Sequence, residues 1–590
     1  MNVTEEIKKM LSEVVGDGVS FTLSVPDEKS HGDIATNIAF SLSKKLGKSP
    51  KAIADGMKED LKQKLSHIIY DIHIAGPGFI NFFVKKEIVR LQSKIVGEIE
   101  TKFSGKTILV EHSSPNLFKP FNIGHLMNNI IGEFIVKSSK VSNAKKTVAM
   151  SFPSDVSLGI AKALYVIELD FKEGKKSIYF FTQGHEDEFS IVEYLGDAYV
   201  RGVKLCEESE ECLLGAKATL EKLYKHTNEG GVIEDEEFYK LVTVTKKINQ
   251  EYFKIVLHGI GSDIECYVYE SESGNVGSEI VKENTGDGKV FTESEGAIVY
   301  IPDESRKDIN TSVFINGQGY PTYEAKDVGL IDIKFNGGIG VKIGEEFIPD
   351  MSLFVTDAEQ TSHFKVVLDA VSKINDEWAE RVKKSVHVTH GRMLFKGEKM
   401  SSRLGGVPLA LDVIDVIEEE VRERAGDKIA NYSQEEKERI TREIALSALR
   451  IAVLRSKPGL NINFDPETSL SFEGDSGPYL LYTHARCFSL LEKGKEVVPH
   501  FDKNIVPTSL ERTLFHFNSV LKESIEDIAP QKLVTYLFKV AQEFNSFYAS
   551  EQIITDDKEK TEHNLAIVAW TKEVLKKGLY TLGVQAVDRM

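Results

Sequence analysis

The chain has only four cysteines in 590 residues, Cys206, Cys212, Cys266 and Cys487. None forms the close C-x-x-C pairs of a zinc site, and four so scattered do not make a disulfide framework. Their scarcity predicts a reducing, cytoplasmic setting. Long hydrophobic runs are missing too: none approaches the roughly 18 residues that a membrane span needs. The opening stretch "MNVTEEIKKMLSEVV" carries acids where a signal peptide would carry only bases. Export and membrane insertion are therefore not expected. Positive charge is in deficit, with a formal net charge of −18. The averaged field repels polyanions, so any phosphate would have to be held by a local patch. Acids concentrate in "CEESEEC" (206–212) and "EDEEF" (234–238), whereas "KSSKVSNAKK" (137–146) is purely basic. Internal repeats and low-complexity segments are absent.

The length exceeds what one hydrophobic core supports, so three or four domains are expected. Residues 1–88 combine helical spacing (Ile34, Ile38, Leu42), a Ser49–Pro50 helix start and two period-two runs, "HIIYDIHIA" and "FINFFV", around the turn "GPG". That pattern predicts a small α+β domain. From 105 to 390 apolar strands alternate with helices ("TILVEHSS", "TVAMSF", "SVFIN", "SLFVTD", "HVTH"), which predicts an α/β domain with a Rossmann-type parallel sheet. A polar, acid-rich helical insertion spans about 170–255. A connecting, mostly helical region occupies 391–465, and periodic apolar segments over 466–590 predict an all-α bundle.

Chemistry enters at "KPFNIGHLM" (119–127), where the strand "TILV" gives way to the helix "LMNNIIGEFIV". In a doubly wound sheet, ligands bind beyond the carboxyl ends of strands, where helix N-termini point free amides and positive dipole at anions. Gly124 removes a side chain that would block a nucleotide, His125 can donate to phosphate, and Lys119 adds a cation. Further along, "GEKMSSRLGG" (397–406) sets Lys399 and two hydroxyls in a glycine-flanked loop suited to closing over a pyrophosphate.

Together and in this order, the two elements resemble the signature pair of class I aminoacyl-tRNA synthetases. "VEHSSPN", "VYESES" (268–273), "YEAKD" (323–327), "EQTSHF" (359–364), "GDSGPYLLYTHAR" (474–486) and the ending "LGVQAVDRM" narrow the resemblance to arginyl-tRNA synthetases from end to end. "HGDIATNIAF" and "GPGFINF" resemble that family's additional N-terminal domain, which contacts the tRNA elbow. The resemblance implies catalytic roles for Lys119, His125 and Lys399, and an ATP site of Asn122, Gly124, His125, Lys399, Ser401 and Ser402. It implies that Glu272, Tyr323 and Asp327 line the guanidinium side of arginine, with Asn116 and Gln360 at its other end. These residue types suit a planar five-donor fork, which bidentate carboxylates satisfy. For tRNA it implies Phe79 and Asn81 at the elbow, and Phe544, Asn545 and Tyr548 at the anticodon.

Three positions depart from the class pattern. Asn122 stands where the first signature histidine is usual. Ser402 and Arg403 follow Ser401 where a second lysine is usual, a loss that Lys119 would cover. The stretch after the second strand reads "PSDVSLG" (153–159). The function implied is ligation of arginine to tRNA(Arg), with ATP and its Mg²⁺ as energy source, no resident metal, no membrane, and a monomer by family habit. Two alternatives are a sister class I enzyme for lysine or cysteine and a catalytically impaired paralogue that binds tRNA without charging it. The paired acids oppose a thiol substrate, and retention of Lys119, Gly124, His125 and Lys399 opposes the paralogue.

Overall fold

The computed structural model describes residues 3–16, 18–26, 28–182, 188–227, 235–396, 409–425 and 432–590. These residues fall into two compact units, one of residues 103–420 with 456–466 and one of 1–102, 421–455 and 467–590.

The first unit is built on a parallel sheet of strands β5 (Thr107–Glu111), β6 (Lys146–Ser151), β7 (Cys266–Tyr267), β11 (Met351–Asp357) and β12 (Ser385–His390), in the order β12-β11-β5-β6-β7. The run "TILVE" is apolar on both faces because both faces are covered, as parallel sheets require. One face packs Leu109, Val148 and Met150 against Leu330, Ile339 and Phe347. The chain leaves β5 toward β6 while β11 lies on the other side. A crevice therefore opens at the carboxyl ends of β5 and β11, the switch point where such sheets bind ligands. Helix α5 (Ile123–Val141) starts there. Its Asn128 ties the two strand ends, accepting from the Ser113 amide and donating to the Val355 carbonyl.

The run "SVFIN" does not join this sheet. Ser312–Ile315 (β10) pairs antiparallel with β9 (Ala297–Tyr300), which pairs with β8 (Phe291–Ser294) in a separate sheet. A four-residue apolar run carries no sign of its strand direction. The deciding signal is the "EG" between β8 and β9, where Glu295 and Gly296 both take positive φ, 51° and 80°, as a tight hairpin turn requires.

The acid-rich insertion forms helices α8 (Glu188–Glu208), α9 (Glu210–Thr227) and α10 (Glu236–Gly259) beside α6 (Leu158–Lys172). Contrary to the scattered-cysteine expectation, Cys206 and Cys212 form a disulfide at the α8–α9 junction. Six residues of separation in "CEESEEC" is a spacing that counting cysteines over the whole chain overlooks. None of the helices searched among the described residues is long and apolar enough to cross a membrane.

In the second unit, β1 (Leu23–Ser24), β2 (Ile34–Thr36), β3 (Ile69–Ala75) and β4 (Phe79–Val84) form an antiparallel sheet in the order β1-β2-β4-β3. The hairpin closes over "GPG", with Ala75 opposite Phe79. Helix α3 (Pro50–Lys64) begins as expected, its Ala52 amide capped by the Ser49 hydroxyl. The C-terminal helices share this unit. Arg90 is buried and pairs with fully buried Glu511 at 2.7 Å, and the Asn518 side chain bonds the backbone of Ile95 and Gly97.

Candidate active site

The loop from β5 into α5 is held in an uncommon shape. Ser113 and Phe118 both take left-handed φ, 56° and 65°, which costs free energy unless surrounding contacts impose it. The Phe118 amide donates to Asn249 of α10, and Leu117 donates to the Ser154 carbonyl. At the helix start, the Asn122 side-chain oxygen accepts from the amides of Gly124 and His125, at 2.9 and 3.1 Å, while the Asn122 amide donates to His125 Nδ1 at 3.2 Å. This is a capping box. Two of the amides at this helix start are thus already satisfied by the Asn122 side chain. The helix dipole still favours an anion there.

The same box fixes the chemistry of His125. Nδ1 accepts, so in the neutral ring Nε2 carries the proton and donates. Burial, reinforced by Lys119 and His390, lowers the His125 pKa to about 4. The ring is therefore a neutral donor throughout the physiological range. His387 and His516 are likewise held down by burial, to about 4 and about 3. Each folded-state value lies below the ordinary 6.5, so the unfolded chain binds more protons between pH 6.5 and about 4. Stability contributed by these rings is complete above pH 6.5 and is lost as the pH falls through that window. Thermal midpoints are expected to fall by several degrees between pH 6.5 and 4.5, and a flat profile there would contradict the buried neutral rings.

Gly124 is exposed, and a Cβ built on it meets only the Asn122 side-chain oxygen, at 3.2 Å. Its φ does not demand glycine, so the open space is what glycine secures. Gly124→Ala is expected to fold normally yet weaken ATP binding by roughly tenfold. Equal ATP affinity would show that no nucleotide passes this point. Lys119 places its ammonium over the Tyr199 ring, 4.6 Å from the centroid.

The second half of the site rests on two helices in backbone contact, α11 (Glu270–Glu283) and α12 (Tyr323–Phe335). A Cβ on Gly277 would fall 1.8 Å from the Ala325 carbonyl oxygen, and one on Gly329 would fall 1.9 Å from that of Ser273. The buried face of α11 carries Glu270, Ser273, Gly274, Gly277, Ser278 and Val281. Glu270 is in phase with it and Glu272 is not. The Glu270 carboxylate accepts from Lys326 Nζ at 2.7 Å and from the Ser154 hydroxyl at 2.9 Å, both on Oε2. Burial raises its pKa against the opposing pull of Lys326. Glu272 lies at the surface and pairs with Lys342 at 2.7 Å.

Asp155, from the unusual "PSDVSLG", anchors the start of α11. It accepts from the Ser271 amide and hydroxyl and pairs with Lys246 of α10. Asp327 is nearly buried and accepts from His363 Nε2 at 2.5 Å on Oδ2. Burial lowers the His363 pKa, but Asp327 and Glu324 more than offset it, so the net shift is upward. Tyr323 opens α12 with 57% of its surface exposed, and desolvation and the Glu270 charge raise its pKa.

Asp327, Tyr323 and Lys326 thus stand on the first turns of one helix with Glu270 beneath them, while Glu272 and Asp327 have separate partners. The small residues at 273, 274, 277 and 278 mark the packed face of α11, and of the two glutamates only Glu270 shares it. Asn116 is half-buried in the β5–α5 loop, its carbonyl accepting the Lys119 amide. Gln360 is exposed just after β11.

Lys399, Ser401 and Ser402 lie outside the described residues. The next described position, Leu409, bridges to Asn122, and the Ala410 amide donates to the Phe121 carbonyl. Phe79 is 41% exposed and packs on Phe40, whereas Asn81 is 3% exposed. Phe544 is fully buried. Asn545 bonds Arg486 and Tyr479, and the Arg486 guanidinium lies 4.7 Å from the ring centres of both Tyr482 and Tyr548.

A capped helix carrying a neutral donor imidazole at the switch point of a parallel sheet fits a nucleotide-using α/β enzyme. The family described as "tRNA synthetases class I (R), catalytic domain" matches residues 89–465, "Arginyl tRNA synthetase N terminal domain" matches 1–84, and "DALR anticodon binding domain" matches 480–590. The chain belongs to the arginyl-tRNA synthetase family of class I. An arginine–tRNA ligase of Oenococcus oeni is 27% identical over 605 residues, covering 100% of this chain and 99% of its own. Among solved structures, the arginyl-tRNA synthetase of Thermus thermophilus superposes with a TM-score of 0.78 at 21% identity, covering 99% of each chain. That of Plasmodium falciparum gives 0.76 at 18% identity, covering 100% of this chain and 99% of its own. At such identity the two structures speak to the fold.

Proposed function

We propose that this chain activates L-arginine with ATP and transfers it to the 3′ end of tRNA(Arg). What supports the reading is the capped start of α5, with His125 on it and Lys119 just before it, at the carboxyl end of β5, together with the buried carboxylates of Glu270, just after β7, and Asp327, which His363 just after β11 holds. In the first step the arginine carboxylate attacks the α-phosphorus in line, giving arginyl-adenylate and pyrophosphate. In the second the terminal ribose hydroxyl of tRNA takes the arginyl group. No side-chain nucleophile is needed, and rate comes from positioning and charge stabilisation by His125 Nε2–H and Lys119, with Lys399, Ser401 and Ser402 proposed at the pyrophosphate.

For arginine we assign Asp327, Tyr323 and Glu270, the last in place of Glu272, with Asn116 and Gln360 at the α-amino end. What supports Glu270 is its burial and its geometry. Lys326 and Ser154 occupy only Oε2, and His363 occupies only Oδ2 of Asp327. Each acid thus keeps a second oxygen for the planar fork. Mg²⁺ belongs to the substrate, as its ATP complex. Among the described residues, no group of three His, Cys, Asp or Glu side chains could hold a metal ion.

For tRNA, exposed Phe79 and Tyr548 are the proposed stacking surfaces, with Asn81, Phe544 and Asn545 behind them. The reaction is assigned to the cytoplasm and the chain is read as a monomer. A chain that binds tRNA without charging it finds no support in a site that keeps both its donors and its acids. The test is aminoacylation of total tRNA with each labelled amino acid. Arginine alone should be incorporated, and ATP–pyrophosphate exchange should appear only when tRNA is added. Incorporation of a different amino acid would overturn the reading, and tRNA-independent exchange would remove its second part.

A further inference from the structure

The helical insertion touches the catalytic loop on both sides of Lys119 and at Lys119 itself. Gly196 of α8 lies against Pro120, the residue after Lys119: a Cβ there would sit 3.4 Å from the Pro120 ring. Buried Asn249 of α10 accepts the amide of Phe118, the residue before Lys119, at 3.1 Å. Tyr199 of α8 receives the Lys119 ammonium over its ring. The ring is itself held, because its hydroxyl would lie only 2.4 Å from a Cβ on Gly159, so the phenol packs flush against the start of α6. Helix α8 is held to α6 by a second close approach, with Gly202 against the Lys162 carbonyl.

A lysine in a phosphate site needs two things that conflict. Its four-carbon stem must be restrained, since its rotamer freedom otherwise opposes binding. Its charge must also stay available, which a carboxylate partner would prevent. An aromatic face attracts the cation through its quadrupole without cancelling it. Among the described residues no carboxylate lies within ion-pair distance of Lys119, and Tyr199 is its partner.

We propose that Tyr199 is a positioning residue for Lys119, its ring holding the ammonium at the phosphate position while leaving its charge intact, so that the helical insertion takes part in activation. The proposal rests on the functional reading above only in taking Lys119 to meet the triphosphate.

The test replaces Tyr199 with phenylalanine and then with mono-, di- and trifluorophenylalanine, which keep the ring's shape while draining its negative face. Tyr199→Phe should stay near the unmodified enzyme. Across the fluorinated series, ATP affinity and exchange rate should fall stepwise, by about two- to thirtyfold in total, with the KM for arginine unchanged. In a Lys119→Ala background the series should be flat. A flat series with Lys119 present overturns the proposal, as does an undiminished slope without Lys119. ATP affinity, read by calorimetry, decides the matter whichever amino acid is activated, so an enzyme lacking arginine-dependent exchange would sink the functional reading separately.

Discussion

His125→Ala is expected to lower arginine-dependent ATP–pyrophosphate exchange by about 100-fold or more, and Lys119→Ala to do the same. On the proposed reading both donate to charge that grows on the phosphates in the transition state, beside a helix N-terminus where Asn122 has already taken the amides of Gly124 and His125. The loss should therefore fall mainly on kcat. The His125 variant also gives up one bond of the capping box, worth about 1 kcal/mol of stability, too little to unfold the domain. Because the imidazole is already neutral, with its pKa lowered to about 4 by burial, the acid limb of the pH–rate profile should not come from His125 titration near pH 6.5. Near-normal turnover in both variants would remove the phosphate role of this loop.

Glu270 and Glu272 separate just as sharply. Glu270→Ala leaves the buried Lys326 ammonium without its partner, a change of about 3–5 kcal/mol. Chemical melts should show much of that loss. Glu270→Gln keeps the volume and is the better probe of function: the KM for arginine should rise on the order of 100-fold, because a guanidinium then meets an amide that can repel as well as accept. Glu272→Gln removes only a surface pair with Lys342, worth about 0–1 kcal/mol, and should leave the KM within about twofold. If the Glu272 variant loses arginine binding while the Glu270 variant keeps it, the assignment reverses.

The contrast shows where sequence is legible. The strand-to-helix passage at 119–127 is readable because glycine, proline and a period change coincide within a few residues. The parallel sheet is readable because its central strands β5 and β11 carry apolar runs that cover both faces and are separated by helices. "SVFIN" is not, since its partner strand is chosen by a hairpin lying upstream of it. The choice between two glutamates two positions apart depends on helix phase, which "VYESES" by itself leaves open. Whether Asn122 serves phosphate or its own helix depends on a rotamer. The part played by the insertion is invisible for a different reason: Tyr199 is far from Lys119 along the chain, and an aromatic among acids gives no hint of the cation it will meet.

The contact between α11 and α12 through Gly277 and Gly329 bears on fidelity. Two helices fused backbone to backbone cannot shift toward a shorter guest, so with arginine held between Glu270 and Asp327, as proposed, the spacing of the two carboxylates is fixed. Ornithine or lysine would leave an acid facing empty space or a stranded water, and citrulline would bring a neutral oxygen to a negative wall. Selection among amino acids would then come from stiffness at the moment of entry, with no later proofreading step required.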